Sequence, residues 1–188
     1  HNQRPKILGN ESAQLVETLN QWPTKNLNST INLLPKELEE EIGKWHKLLQ
    51  KSVNDGVYRC GFARNQTSYD KACRELFEAL EIVEESLREK GPWLCGEKMT
   101  LADIRLFPTL IRWEMVYEAL FGCRLKPLWH FKNIWEWRQN FFSIPKVATT
   151  CDAEAWRKDY FGALFPLNPR MVIPLGPKLE TIVNKQAN

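Results

Sequence analysis

The sequence has little of what metal sites and disulfide frameworks require. It contains only three histidines, and its five cysteines are odd in number, widely spaced and without a C-x-x-C pair. Such a set is poor for zinc or structural disulfides and is typical of proteins in a reducing compartment. We therefore expect no metal and an intracellular location, either cytoplasmic or in an organelle such as a chloroplast or mitochondrion.

Long apolar runs and a strong charge imbalance are also absent. No apolar stretch approaches the roughly 20 residues that cross a bilayer, and the first residues show no signal-peptide pattern. The formal net charge of +3 is too small to indicate nucleic-acid binding. The basic excess over residues 124–146 is interpreted as a solvated helix face. The sequence thus predicts neither a membrane nor a nucleic acid as partner.

Helical periodicity and large aromatic residues are abundant. Eight tryptophans and nine phenylalanines indicate a core rich in rings or an aromatic-lined cavity. Apolar residues recur at helical spacing, and no strand alternation follows residue 30, so the predicted class is an all-α bundle. The predicted helices run from Pro35 to about Val53, about Thr67 to Lys90, Leu101 to about Leu120, Leu128 to Phe142 and Ala153 to about Ala163.

The best-defined helix start in the chain follows residue 99. Thr100 is a good N-cap, and Asp103 can return a bond to its backbone N–H as in a capping box. Met99 and Ile104 can form a hydrophobic staple. The helix that follows is apolar on nearly every side, which predicts burial at the centre of the bundle. Pro108 should kink it, at a cost of about 3 kcal/mol unless neighbours compensate.

Three regions interrupt the helical pattern. Residues 54–56 (Asn-Asp-Gly) predict a break, which leaves 56–63 as a short segment bracketed by glycines. Residues 165–177 are too rich in proline for regular structure and should lie along the surface. Near the start, residues 7–9 are predicted to end a strand, 10–12 to open a helix and 24–34 to form a linker. A single strand cannot complete a sheet, so this beginning suggests the end of another domain.

Five residues are candidates for binding. Glu11 and Ser12 begin a helix, where free N–H groups and the positive dipole end bind carboxylates, although a plain helix cap is an equal alternative. Tyr58, Tyr117 and Tyr160 carry phenols that can donate to a carbonyl or quinone oxygen, although a tyrosine taken singly is more often structural than functional. Cys95 has no basic neighbour in sequence, so we interpret it as a buried apolar residue rather than a nucleophile.

These stretches resemble a known family. Residues 94–96 with 100–104 are similar to the capping motif of glutathione transferase C-terminal domains. Residues 54–63 (Asn-Asp-Gly-Val-Tyr-Arg-Cys-Gly-Phe-Ala) resemble the segment that marks the glutathionyl-hydroquinone reductases, the Xi class of transferases. The resemblance covers nearly the whole chain to about residue 177. Further matches lie at 102–107, 109–112, 116–117, 168–169 and 173–177.

The resemblance implies an activity and roles for the candidate residues. Members have a thioredoxin-like half in which a cysteine, in a Cys-Pro-Trp context, attacks the sulfur of a glutathionylated hydroquinone. The hydroquinone leaves, and a second glutathione resolves the mixed disulfide. By resemblance, Glu11 and Ser12 would hold the γ-glutamyl end of glutathione. Tyr58, Tyr117 and Tyr160 would line the aromatic pocket, and the helical half would form a homodimer.

The sequence also departs from the family pattern. It contains no Cys-Pro-Trp, so we expect no catalytic residue in this chain, with 1–30 a remnant of the thioredoxin-like domain plus linker. Residues 31–188 are then the helical domain with its proline-rich tail. Asp159 and Phe161 replace residues of a His-Tyr-Tyr-Gly motif, and Pro108 lies in a helix usually free of proline. The alternatives are a non-catalytic binding or scaffold module in a larger assembly, or a transferase with an altered substrate.

Overall fold

The computed structural model describes residues 11–21 and 31–184. These residues contain nine α-helices, several of them extended by short 3-10 or π-helical turns. No β-strand occurs within these ranges, so the predicted all-α class is confirmed. The strand end predicted at residues 7–9 lies outside the described residues. The helices are α1 Ser12–Gln21, α2 Glu39–Leu48, α3 Asp55–Gly61, α4 Gln66–Lys90, α5 Leu101–Ile111, α6 Glu118–Leu120, α7 Lys132–Phe142, α8 Ala153–Ala163 and α9 Leu179–Asn184.

Helix α5 lies at the centre of the bundle, as its apolar sequence predicts. Nine of its eleven residues are buried. The fully buried Asp103 carboxylate accepts the backbone N–H groups of Thr100 at 2.9 Å and Leu94 at 3.0 Å. It also accepts the indole N–H of Trp137 in α7 at 2.9 Å. The predicted cap therefore does more than start a helix, because one carboxylate joins the preceding loop, α5 and α7.

The predicted helix break at residues 54–56 is wrong. A π-helical turn, Leu49–Asn54, connects α2 to α3, so the glycine-bracketed segment is itself helical. The Asn54 side-chain amide donates to the backbone oxygen of Arg105 at 3.1 Å. Gly56 faces Leu76 of α4, whose Cδ1 would lie 3.4 Å from an added Cβ. Packing against α4 and α5 thus overrides the turn preference of these residues.

The buried helix is shorter than the sequence predicts. Helix α5 ends at Ile111, a π-helical turn occupies Trp113–Tyr117, and α6 follows. The interruption falls at Arg112 (φ −92°, ψ −2°), about one turn after Pro108. Pro108 has no backbone N–H to donate within the helix, and its side chain is exposed rather than packed in the core. Helix α5 nevertheless continues through Pro108 to Ile111.

The C-terminal region contains a helix that the sequence analysis missed. Helix α8 has the predicted bounds, and the proline-rich stretch after it is mostly irregular. Helix α9 then packs against α7 and buries Leu179, Ile182 and Val183. The Gln139 side chain of α7 donates to the Val183 carbonyl at 2.6 Å. The i, i+3, i+4 spacing of the three apolar residues was the available signal.

The sequence predicts that the basic stretch 124–146 is a solvated helix face, but only part of it is exposed to solvent. Arg138 is fully buried and pairs with Glu114 at 2.8 Å. Its guanidinium also donates to the Leu110 carbonyl at 3.0 Å and lies 4.1 Å from the Trp135 ring centroid. A buried guanidinium needs such partners, because an unpaired buried charge is strongly unfavourable.

Cys95 is buried, in agreement with its interpretation as a packing residue. Burial raises the pKa of its thiol to about 11, although the Thr100 hydroxyl that donates to the sulfur at 3.6 Å opposes this shift. A thiol with a raised pKa is almost entirely protonated at neutral pH and is a poor nucleophile.

Candidate functional site

Three tyrosines that are far apart in sequence meet at one place in the fold. Tyr58 lies on α3, Tyr117 ends the π-helical turn after α5, and Tyr160 lies near the end of α8. The hydroxyl of Tyr160 is 2.6 Å from that of Tyr58 and 3.1 Å from that of Tyr117. The structure therefore brings together the three tyrosines that the sequence analysis selected, in one hydrogen-bonded group that we call the tyrosine cluster.

The Phe121 ring packs against the rings of all three tyrosines of the cluster. Its ring centroid lies 5.3 Å from that of Tyr58, 5.5 Å from that of Tyr117 and 6.2 Å from that of Tyr160. Gly61 leaves room for this ring, since a Cβ there would lie 2.4 Å from Phe121. The sequence analysis did not select Phe121. Its position four residues after Tyr117, on the same side of a helix, was the signal for it.

The phenols of Tyr58 and Tyr117 are protonated at neutral pH. Burial, and then the bond to Tyr160, raise the pKa of Tyr58 to about 12. The same two causes, burial first, raise the pKa of Tyr117 as well. Two hydrogen bonds among three hydroxyls use two of the three O–H protons. One O–H of the cluster therefore remains able to donate to a bound molecule or to solvent.

A cavity of about 380 Å³ lies beside the cluster. Tyr58 and Tyr117 line it, whereas Tyr160 bonds to both from outside the lining. Ser12 at the start of α1 also lines the cavity, but Glu11 does not. The cavity thus places one of the two predicted glutathione residues near two of the three predicted aromatic-pocket residues. Its other lining residues are Val16, Gln50, Asn54, Asp55, Ile104, Arg105, Pro108, Thr109 and Arg112.

Helix α1 is held to the bundle next to this cavity. The carboxylate of Glu17 in α1 lies 3.4 Å from the guanidinium of Arg105 in α5. The same guanidinium contacts the imidazole of His46 in α2. Burial, followed by the charge of Arg105, lowers the pKa of His46, which keeps the ring neutral at pH 7. Arg105 therefore connects α1 to the cavity wall, a role for which the sequence analysis did not select it.

The two positions that depart from the family motif on α8 do not line the cavity. Asp159 is exposed, and Phe161 is 4% exposed in the interior. Tyr160, between them, keeps its place in the cluster. Pro108, the third departure, does line the cavity.

The described parts of the chain contain neither a cluster of metal-binding side chains nor a membrane-spanning helix. No group of three or more histidine, cysteine, aspartate or glutamate side chains is placed to hold a metal ion there. Among the helices of residues 11–21 and 31–184, none has the length and apolar character needed to cross a membrane.

Comparison with known proteins identifies the helical domain. Residues 34–145 match the family model described as the glutathione S-transferase, C-terminal domain. The glutathionyl-hydroquinone reductase PcpF of Sphingobium chlorophenolicum is 34% identical over 172 residues, which cover 92% of this chain and 55% of that protein. The chain spans about half the length of the curated relatives that it matches.

Solved structures agree with this assignment. The glutathione-bound structure of YqjG, a glutathione transferase homologue from Escherichia coli K-12, aligns with a TM-score of 0.87 and 31% identity over 93% of this chain and 57% of that chain. Glutathione transferase Xi 1 from Trametes versicolor aligns with a TM-score of 0.86 and 33% identity over 91% of this chain and 60% of that chain. The chain therefore belongs to the glutathione S-transferase family, in the branch of the glutathionyl-hydroquinone reductases and Xi-class transferases.

Proposed function

We propose that this chain is the helical, substrate-binding half of a glutathione-dependent reductase that removes glutathione from glutathionyl-hydroquinones. The observation that carries the proposal is the tyrosine cluster, in which Tyr160 bonds to both Tyr58 and Tyr117 beside a cavity large enough for an aromatic ring. The glutathionyl-hydroquinone reductases among its relatives support the same class of substrate. Because the chain contains no Cys-Pro-Trp sequence, the nucleophilic cysteine would belong to a thioredoxin-like half.

The two ends of the cavity suit the two parts of such a substrate. At one end, Ser12 in the first turn of α1 offers a hydroxyl and free backbone N–H groups to the γ-glutamyl carboxylate of glutathione, with Glu11 just before it. At the other end, the cluster offers its unused O–H to a ring oxygen. In the keto tautomer of the substrate, the ring carbon that bears sulfur carries the proton of the neighbouring hydroxyl. Attack of the cysteine thiolate on sulfur then forms the disulfide, breaks the carbon–sulfur bond and passes its electron pair to the ring oxygen, whose negative charge a fixed O–H donor stabilises.

Ligand binding by tyrosine variants tests this proposal. We expect Tyr58→Phe and Tyr160→Phe to weaken binding of a glutathionyl-hydroquinone by about 3- to 10-fold, the range of one neutral hydrogen bond. Isothermal titration calorimetry measures the change. Tyr69→Phe is the matched control, since the Tyr69 hydroxyl donates to the Gly122 carbonyl at 2.5 Å and its ring does not line the cavity. Equal affinity in all three variants would contradict the assignment of the cluster.

The partners of the chain form part of the proposal. Glutathione is the co-substrate, aromatic or quinone molecules are the ligands, and a homodimer forms through the helical domain. Sedimentation of the purified chain tests the dimer directly. If the chain binds neither glutathione nor hydroquinones, the non-catalytic binding or scaffold module becomes the better explanation.

A further inference from the structure

We propose that Arg112 is the anion-binding residue of the cavity and selects aromatic ligands that carry an ionised ring oxygen. This inference deepens the proposed function and rests on the aromatic pocket assigned there. Arg112 adds a positive charge beside the neutral phenols of Tyr58 and Tyr117, and this charge determines which ligands bind.

Arg112 is held at the wall of the cavity by the interruption of the central helix. Arg112 directly follows the last residue of α5 and lies about one turn after Pro108. It lines the cavity together with Tyr58 and Tyr117. Its guanidinium carbon lies 5.2 Å from the ring centroid of Trp156 in α8. A guanidinium near the face of an aromatic ring is attracted to it and is limited in its movement.

The side chain of Arg112 hydrogen-bonds to Tyr117, a neutral group that leaves the charge of Arg112 unpaired among the described residues. No carboxylate within residues 11–21 and 31–184 forms an ion pair with it, and its buried Nε–H has no acceptor among those residues. A buried donor without an acceptor is unfavourable. Because that Nε atom is buried, an anionic oxygen of a bound molecule binds instead to the terminal nitrogen atoms of the guanidinium at the cavity wall, and planar guanidinium groups bind such oxygens well.

Of the other charged groups that line the cavity, Arg105 has an ionic partner, whereas the Asp55 carboxylate has a neutral one. Asp55 accepts a hydrogen bond from the Gln50 side chain at 2.8 Å. Arg105 pairs with Glu17 and contacts His46. Arg112 is therefore the cation whose field reaches the ligand space. A hydrogen bond from Arg112 lowers the pKa of Tyr117, and the charge of Arg112 lowers the pKa of Tyr58, in both cases against the larger effect of burial.

An aromatic ligand with an ionised oxygen fits this environment better than a small carboxylate does. Arg112 lies on the tyrosine side of the cavity, near the rings of Tyr117 and Trp156. A ligand ring can contact these side chains while its oxygen approaches the guanidinium. The product of glutathione removal has this chemistry, since an ionised hydroquinone carries a ring oxygen with negative charge.

A pair of small probes tests the proposal with the purified chain. 4-Nitrophenol ionises and changes its absorbance on doing so, and 4-nitroanisole has the same shape without an ionisable group. We expect the bound 4-nitrophenol to have a lower pKa than the free probe. In Arg112→Gln we expect the phenolate to bind about tenfold more weakly, as for loss of a charge-assisted bond, with 4-nitroanisole changed less than twofold.

The conservative variant and the second probe separate the possible outcomes. Arg112→Lys keeps the charge, so it should retain most of the lowered pKa of bound 4-nitrophenol. If Arg112→Gln weakens both probes equally, or leaves the pKa of the bound phenol unchanged, Arg112 is not an anion-binding residue. If neither probe binds to the wild-type chain, the aromatic pocket assigned in the proposed function is refuted, and the role of Arg112 is refuted with it. Circular dichroism of each variant checks that the helices remain folded.

Discussion

Individual residues of this protein do more than their local sequence indicates. Asp103 is predicted as half of a capping box, and in the fold it also accepts N–H groups of Leu94 and Trp137. Burial raises its pKa, although these donors oppose the shift. The cap was predictable because it depends on residues three apart, whereas the bond to Trp137 depends on a residue 34 positions away.

The tyrosines provide a pH-dependent prediction at this scale. The pKa of Tyr58 and that of Tyr69 are both about 12 in the folded chain, in each case mainly through burial, against about 10 for a phenol in water. A raised folded pKa adds stability that is fully present below about pH 10 and is lost as the pH rises toward 12. We therefore expect the free energy of unfolding to fall across that range.

Absorbance titration of the phenols measures this effect. Between about pH 9 and 11, the folded chain should form less phenolate than the same chain in guanidinium chloride. Tyr58→Phe should reduce the difference, since it removes one shifted group. Identical titration curves for the folded and unfolded chains would show that folding does not raise the pKa of the phenols.

At the scale of the elements, tertiary packing decides where helices continue and where they end. Residues 54–56 favour a turn, yet the chain passes through them in helical form because Asn54 bonds to α5 and Gly56 packs on α4. The central helix stops at Arg112 although its apolar pattern continues. Both differences lie next to the cavity. They place Tyr58 and Tyr117 where their hydroxyls can reach Tyr160.

Two glycines on successive helices give a matched test of this packing. Gly61→Ala should destabilise the chain by about 1–3 kcal/mol, because an added methyl group must displace the Phe121 ring. Gly43→Ala should instead stabilise it by about 0.5–1 kcal/mol, since no atom lies within 4 Å of its added Cβ and alanine favours helix. Urea unfolding measures both. Equal effects of the two substitutions would contradict the close contact at Phe121.

At the scale of the whole molecule, a cavity lined in part by Tyr58 and Tyr117 occurs in a chain whose cysteines are poorly suited to act as nucleophiles. Four of the five cysteines are buried, namely Cys60, Cys73, Cys95 and Cys123. Burial also raises the pKa of Cys151, the least buried of them. Reactive cysteines are accessible and have a lowered pKa. The hydrogen bond from Cys123 lowers the pKa of Cys60, but Cys60 is buried, so these residues suit packing better than catalysis.

This leads to a prediction for the isolated 188-residue chain. Incubated with glutathione and a glutathionyl-hydroquinone, it should release hydroquinone no faster than buffer does, because no Cys-Pro-Trp cysteine is present to attack the sulfur. Chromatography of the released hydroquinone is the measurement. A relative that contains a thioredoxin-like half serves as the positive control. Thiol-dependent release above the buffer rate would refute the prediction.

Apart from the family, which it indicated through resemblance, the sequence by itself determined the helical class, the cap of the central helix and the packing role of Cys95. These depend on periodicity and on short-range patterns, which a chain carries wherever it folds. It also selected Tyr58, Tyr117 and Tyr160 through resemblance, but not their contacts. Only the tertiary structure decided that helix continues through Gly56, that α9 covers α7 and that Arg112 lies uncompensated beside the phenols. Those features depend on contacts between residues distant in sequence, whose packing energies exceed local conformational preferences.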